Sequence, residues 1–143
     1  MRLVLDSNEY IGGLGTLASQ PSVELFRHLV QVNVEHEIFA SRVLLEEVRR
    51  NLPPDRFKEF WTIVLVLNVV VLEDWEIAAA MHQKYIGLGL KAGDAAIAAC
   101  AETAGAEVVI TENRDFHGRS GLPFRPLRAE EFLREQGTGV RPA

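Results

Sequence analysis

Short apolar runs alternating with helical spacings set the framework of the chain. Arg2-Leu3-Val4-Leu5 reads as a strand that runs straight into the acidic-polar turn Asp6-Ser7-Asn8. Gly12, Gly13 and Gly15 then mark an irregular stretch. From Pro21 onward, Val23, Leu25, Phe26, Leu29 and Val30 keep the spacing of a helix. Glu37 to Ala40 is a second strand, and Ser41 is placed to cap a helix from Arg42 to about Asn51, ended by Pro53-Pro54. A helix starting at Asp55 carries Phe57, Phe60, Trp61, Val64 and Leu65 on one side. Val69 to Leu72 is a third strand, wholly apolar, as expected of a strand covered on both faces.

Beyond it, Asp74 caps a helix from Trp75 to about Ile86, broken by Gly87 and Gly89. Asp94 to Ala101 is a helix of small residues suited to close packing and ended by Gly105. Glu107 to Thr111 and Phe124 to Leu127 are the fourth and fifth strands, and Glu130 to Glu135 the last helix. Strands separated by helices predict the α/β class: about five mostly parallel strands with helices on both faces. In such sheets, ligands bind beyond the carboxyl ends of the strands.

The 143 residues fit one domain, 1–136, followed by a flexible tail, 137–143. The longest apolar run, Phe60 to Leu72, is interrupted by Asn68. A membrane span needs roughly 20 residues, so this run is core material. A formal net charge of −5 argues against a generic electrostatic nucleic-acid binder, but leaves room for a local basic rim. With one cysteine, Cys100, and no leader-like N-terminal segment, a reduced, cytoplasmic setting is expected, with Cys100 packed in the core. Trp61, Trp75 and Tyr85 are likewise read as core, and His28, His36, His82 and His117, which lack a ligand spacing, as structural or surface residues.

Four acidic positions change the picture. Asp6 follows the first strand, Glu46 and Glu47 lie in the second turn of a helix, Asp94 opens the alanine-rich helix, and Asp115 follows the fourth strand. Each taken singly is ordinary: a turn, a solvated face, a cap, a loop. Together they fall where an α/β sheet binds its ligands. Clustered carboxylates repel one another unless a cation joins them. Oxygen donors without a His/Cys pattern point to Mg²⁺ or Mn²⁺. Leu44, Leu45, Val48 and Leu52 define the buried stripe of their helix, and Glu47 lies nearer its edge than Glu46 does. Glu47 is therefore preferred as the ligand, with Glu46 in reserve.

These residues resemble the PIN-domain family, in particular the VapC-like toxins of toxin–antitoxin operons. The likeness runs from Leu3 to about Leu133. Leu5-Asp6-Ser7-Asn8 is similar to the family's opening, and Ala40-Ser41 followed by Glu47-Val48 to its next helix start. Gly93-Asp94-Ala95-Ala96-Ile97-Ala98-Ala99 resembles its third motif, and Thr111-Glu112-Asn113-Arg114-Asp115-Phe116 its fourth. The chain departs from the pattern at Asn113, where many members carry Asp, and at Glu9, where an aliphatic residue is usual.

The resemblance implies a three-layer α/β/α fold and a metal-dependent endoribonuclease cutting single-stranded RNA, the toxin of a type II pair. It implies Asp6, Glu47, Asp94 and Asp115 as catalytic metal ligands, with Ser7, Asn8, Thr111 and Asn113 orienting waters or carboxylates. A cognate antitoxin and a homodimer are implied by the resemblance alone. Arg42, Arg49, Arg50, Arg56, Lys58, Lys91 and Arg114 are candidate phosphate contacts, or equally solvated surface charge. The competing expectation is a catalytically degenerate PIN-like module that binds RNA or protein.

Overall fold

The computed structural model describes residues 1–15, 19–32 and 34–137, so of the expected tail only Gly137 is covered and 138–143 lie outside the described residues. In chain order the elements are β1 (Arg2–Leu5), α1 (Ser7–Leu14), α2 (Gln20–Gln31), β2 (Glu37–Ser41), α3 (Arg42–Asn51), α4 (Phe57–Val66), β3 (Val70–Leu72), α5 (Ala79–Gly87), α6 (Ala92–Ala104), β4 (Val108–Ile110), α7 (Arg114–His117), β5 (Arg125–Leu127) and α8 (Ala129–Glu135).

The strands form one sheet in the order β3-β2-β1-β4-β5, and every pairing is parallel. Val4 stands beside Phe39 on one side and Val109 on the other. Parallel strands need crossovers, and the helices supply them while covering the sheet. Leu3, Val4, Leu5, Val108, Val109 and Ile110 are all buried, as central strands covered on both faces must be. Helix α6 lies against β1 and β2, with α5 packed on α6. Its alanines, with Ile97 and the buried Cys100, allow that close approach, and burial pushes the Cys100 thiol up to about 12.

Local signals account for several boundaries. Ser41 caps α3 by accepting the Leu44 N–H at 3.1 Å. Gly105 ends α6 in the left-handed region, φ 67°, where a Cβ would be strained.

Five expectations are corrected. The glycine stretch after Asp6 is helical: α1 runs to Leu14. Its glycines serve packing, since a Cβ on Gly13 would lie 2.5 Å from the Phe26 ring and one on Gly12 3.0 Å from Ser22 Oγ. The third strand is an edge, with Val70 exposed and Val71 and Leu72 half-buried, so its apolar run does not mean cover on both faces. No single helix spans 75–86, because Glu73 and Glu76 bond reciprocally around a 3-10 turn, Asp74–Glu76, and α5 begins only at Ala79. That turn leaves Trp75 82% exposed, and Trp61 is 40% exposed; of the three aromatics expected inside, only Tyr85 is buried. The helix expected from Asp55 is preceded by a 3-10 turn at Pro54–Arg56 and starts at Phe57.

Tyr10 is fully buried between Phe26, at a ring-centroid distance of 5.3 Å, and the edge of Phe60, at 6.0 Å. Burying a large side chain of this kind is worth roughly 1.5–3 kcal/mol, and here it ties α1 to α2 and α4. No helix among the described residues is long and apolar enough to cross a membrane.

The close approach at Gly13 sets a contrast with Gly93, whose added Cβ would meet nothing within 4 Å. Gly13→Ala is expected to cost about 1–3 kcal/mol through overpacking against Phe26. Gly93→Ala is expected to be neutral or to stabilise by up to about 1 kcal/mol through helix propensity. Denaturant unfolding of the two variants beside the parent measures both.

Candidate functional site

Asp6 is the first residue beyond central strand β1. Its backbone N–H donates to Ile110 O on β4 at 2.9 Å, which anchors it to the neighbouring strand. Only 4% of the residue is exposed. Its carboxylate is oriented from two sides: Thr111 Oγ1 donates to Oδ2 at 2.7 Å and Ser7 Oγ donates to Oδ1 at 3.2 Å. A buried carboxylate is retained only with such partners or a cation.

From Thr111 the network continues. Its hydroxyl oxygen accepts the Asn113 N–H at 3.0 Å. Asn113 caps α7 by accepting the Asp115 N–H at 2.9 Å, and its amide Nδ2 donates to Asp94 Oδ1 at 2.9 Å. Those two contacts fix which way the amide faces. Asp94 stands in the first turn of α6 and is half-buried. Burial pushes its pKa above the usual carboxylate range, and the charges of Asp6 and Asp115 push the same way, while the Asn113 hydrogen bond and Lys91 pull it down. Asp6, Asp94 and Asp115 thus share one electrostatic field at the carboxyl edge of β1 and β4. His117 Nε2 donates to Thr111 O at 2.7 Å and holds α7 against that edge.

Residues 4–121 match the family model of the PIN domain. The chain belongs to the PIN family. Its fold resembles, with a TM-score of 0.56 and 15% identity over 90% of this chain and 98% of the other, a chain in the crystal structure of VapBC2 from Rickettsia felis bound to a DNA fragment from their promoter. A chain of FitAB bound to the IR36 DNA fragment resembles it with a TM-score of 0.59 and 16% identity, over 89% of this chain and 94% of that one. At these identities the likeness concerns the PIN fold. Among curated proteins nothing matches the chain.

The remaining expected site residues are placed less closely. Asn8 is exposed in the first turn of α1 and makes no side-chain hydrogen bond among the described residues. Glu46 and Glu47 are both exposed on α3, which packs against α1. The Glu46 charge acts on Arg42. Among the described residues, no three His, Cys, Asp or Glu side chains are gathered closely enough to hold a metal ion. The donors that do converge are carboxylate oxygens, which suit a hard cation that keeps part of its water shell.

Arg42 is engaged by a bidentate pair with Glu73, Nε to Oε2 at 3.2 Å and Nη2 to Oε1 at 2.6 Å. Arg49, Arg50, Arg56, Lys58, Lys91 and Arg114 are exposed and form no ion pair among the described residues.

Glu9, one helical turn after Asp6, is fully buried. Ser22 Oγ donates to its Oε1 at 3.1 Å, while its Oε2 meets no donor. Burial, the neighbouring Glu112 carboxylate and the Asp6 charge raise its pKa to about 9. These causes favour the protonated form of Glu9 beside the Glu112 carboxylate, whose Oε2 accepts the Ala129 N–H at 3.0 Å. Sequence reasoning missed this pairing because the glycines hid the helix. Once α1 is known to start at Ser7, Glu9 falls three residues from Asp6, on the same face.

The folded protein holds a proton at Glu9 that the unfolded chain releases near pH 4.5. Stability is therefore greatest on the acid side of this group and falls as pH rises from about 4.5 towards 9. Glu9→Gln keeps the donor and the acceptor without the titration. The variant is expected to lose that slope and to exceed the parent in stability above neutrality, as read by urea unfolding across this range. An equal slope in both proteins would show that Glu9 does not hold the proton.

Proposed function

We propose that this PIN protein is a metal-dependent endoribonuclease cutting single-stranded RNA, the toxin of a type II toxin–antitoxin pair. The observation that carries the reading is the line Asp6–Thr111–Asn113–Asp94, which holds two carboxylates from different elements against each other at the carboxyl edge of the sheet. Burial first, and then the charges of Asp6 and Asp115, raise the pKa of Asp94, and a divalent cation relieves that condition.

Asp6 and Asp94 would hold Mg²⁺ or Mn²⁺, with Asp115 and Glu47 acting directly or through water. When bound, the cation supplies hydroxide from water at neutral pH and neutralises charge on the leaving oxygen of a phosphodiester. The chain's own residues prepare for this. Thr111 and Ser7 keep both Asp6 oxygens in a set orientation. Asn113, a neutral donor, stabilises the ionised form of Asp94 where an aspartate would add a further like charge. Its carbonyl oxygen also fixes the start of α7 and so the position of Asp115.

The kinship in fold with chains of the VapBC2 and FitAB assemblies supports an antitoxin partner. A homodimer and a cytoplasmic setting belong to the same reading. A second reading, a PIN-shaped module that binds without cutting, is favoured by one observation: no three acidic side chains converge among the described residues.

Incubating the antitoxin-free protein with a panel of short single-stranded RNAs and Mg²⁺ or Mn²⁺ separates the two readings. Cutting that EDTA stops, and that Asp94→Asn lowers by at least about 100-fold, is the expected result. No cutting, with no Mn²⁺ binding by calorimetry, would leave the binding module as the function.

A further inference from the structure

Among the described residues, one cation beside the acidic edge is fixed by hydrogen bonds and forms no ion pair. Arg119 follows α7 and is half-buried. Its Nε donates to Asp115 O at 3.0 Å and its Nη1 donates to Leu88 O at 2.7 Å. Nη2 lies over Gly89, where a Cβ would come within 3.6 Å, and Gly89 itself has φ 94°. Both bonded acceptors are neutral carbonyls. No carboxylate pairs with the guanidinium among the described residues. Its charge is therefore held in place but not neutralised.

That distinguishes Arg119 from the other basic residues. Arg42, Arg125 and Lys84 are bound to Glu73, Glu135 and Glu102. Among the described residues, no ion pair or hydrogen bond fixes the exposed side chains of Lys91 and Arg114. The bonds of Arg119 also bridge the two segments that flank the acidic edge: α7, which carries Asp115, and the connection from α5 to α6, which leads to Asp94. Fixing a guanidinium in advance lowers the entropy lost on binding, and its remaining donors match phosphate oxygens.

We propose that Arg119 is a substrate-binding residue that grips a backbone phosphate of single-stranded RNA beside the carboxylates. The inference rests on the ribonuclease reading and adds a residue to it. The acidic site would bind phosphates through its cation, while Arg119 would supply a contact independent of the metal and set the direction in which the strand leaves the site.

The test uses the full chain in an Asp94→Asn background, so that the RNA stays intact, and a fluorescently labelled single-stranded RNA oligonucleotide. Fluorescence anisotropy over a range of salt concentrations gives the slope of log affinity against log salt. Each phosphate contact contributes about 0.7 to that slope for a single strand. Arg119→Gln is expected to weaken binding several-fold and to lower the slope by about 0.7, while Arg119→Lys weakens binding but keeps the slope. Arg119→Ser serves as the charge-removing variant should thermal unfolding show that the glutamine protein does not fold.

Equal weakening by Gln and Lys with an unchanged slope would make Arg119 a brace between two loops and overturn the proposal, leaving the ribonuclease reading intact. If the Asp94→Asn protein and the parent both fail to bind the RNA at any salt, the ribonuclease reading falls and this proposal with it.

Discussion

A carboxylate at the end of a buried strand has to be satisfied by something, and the rest of this molecule is arranged around that requirement. Asp6 leaves the centre of the sheet with almost no access to water and accepts two hydroxyls, one from its neighbour Ser7 and one from Thr111 on the adjacent strand end. Because β1 and β4 run side by side in the same direction, those two strand ends meet without any further device. Thr111 passes the constraint to Asn113, and Asn113 passes it to Asp94 and to the start of α7. Four short segments are thus held by one line of hydrogen bonds. Polar networks in a low-dielectric setting are rigid when fully partnered and costly when broken.

Much of this was legible beforehand because it lies in local pattern. The alternation of strands and helices implied a parallel sheet, and strand ends in such sheets are where ligand-binding side chains gather. Asp6, Asp94 and Asp115 could be picked out on that basis, and the PIN motifs agreed. Asn113 stood out as a departure from the pattern and as a candidate for orienting waters or carboxylates. Its amide turns out to bridge Asp94 and α7, a role that only tertiary placement reveals.

What stayed hidden depends on distance in the chain. Glu9 stood out as a departure from the family pattern but without a role, because its burial depends on Ser22 and Glu112. Trp75 looked like core because aromatic residues usually are. The reciprocal bonds of Glu73 and Glu76 hold its backbone in a tight turn that carries the indole outward. The edge position of β3 has the same origin, since an apolar run does not disclose how many neighbours a strand will have. Glu47 shows the limit from the other side. Helical periodicity ranks it above Glu46, yet both are solvent-facing on α3 and neither is drawn into the Asp6–Asp94 line.

The contact between Gly13 and Phe26 has a genetic consequence. At 1.5 Å per residue, Gly13 lies about 10 Å along α1 from Asp6. It takes no part in the chemistry, but it fixes how deeply the helix sits on its neighbour and hence where the helix delivers its first residues. A selection for alleles that have lost function would therefore return changes at Gly13 alongside those at the carboxylates. The target for inactivating this protein is wider than its acidic edge, extending along the seam where two helices touch with nothing but a hydrogen atom between them.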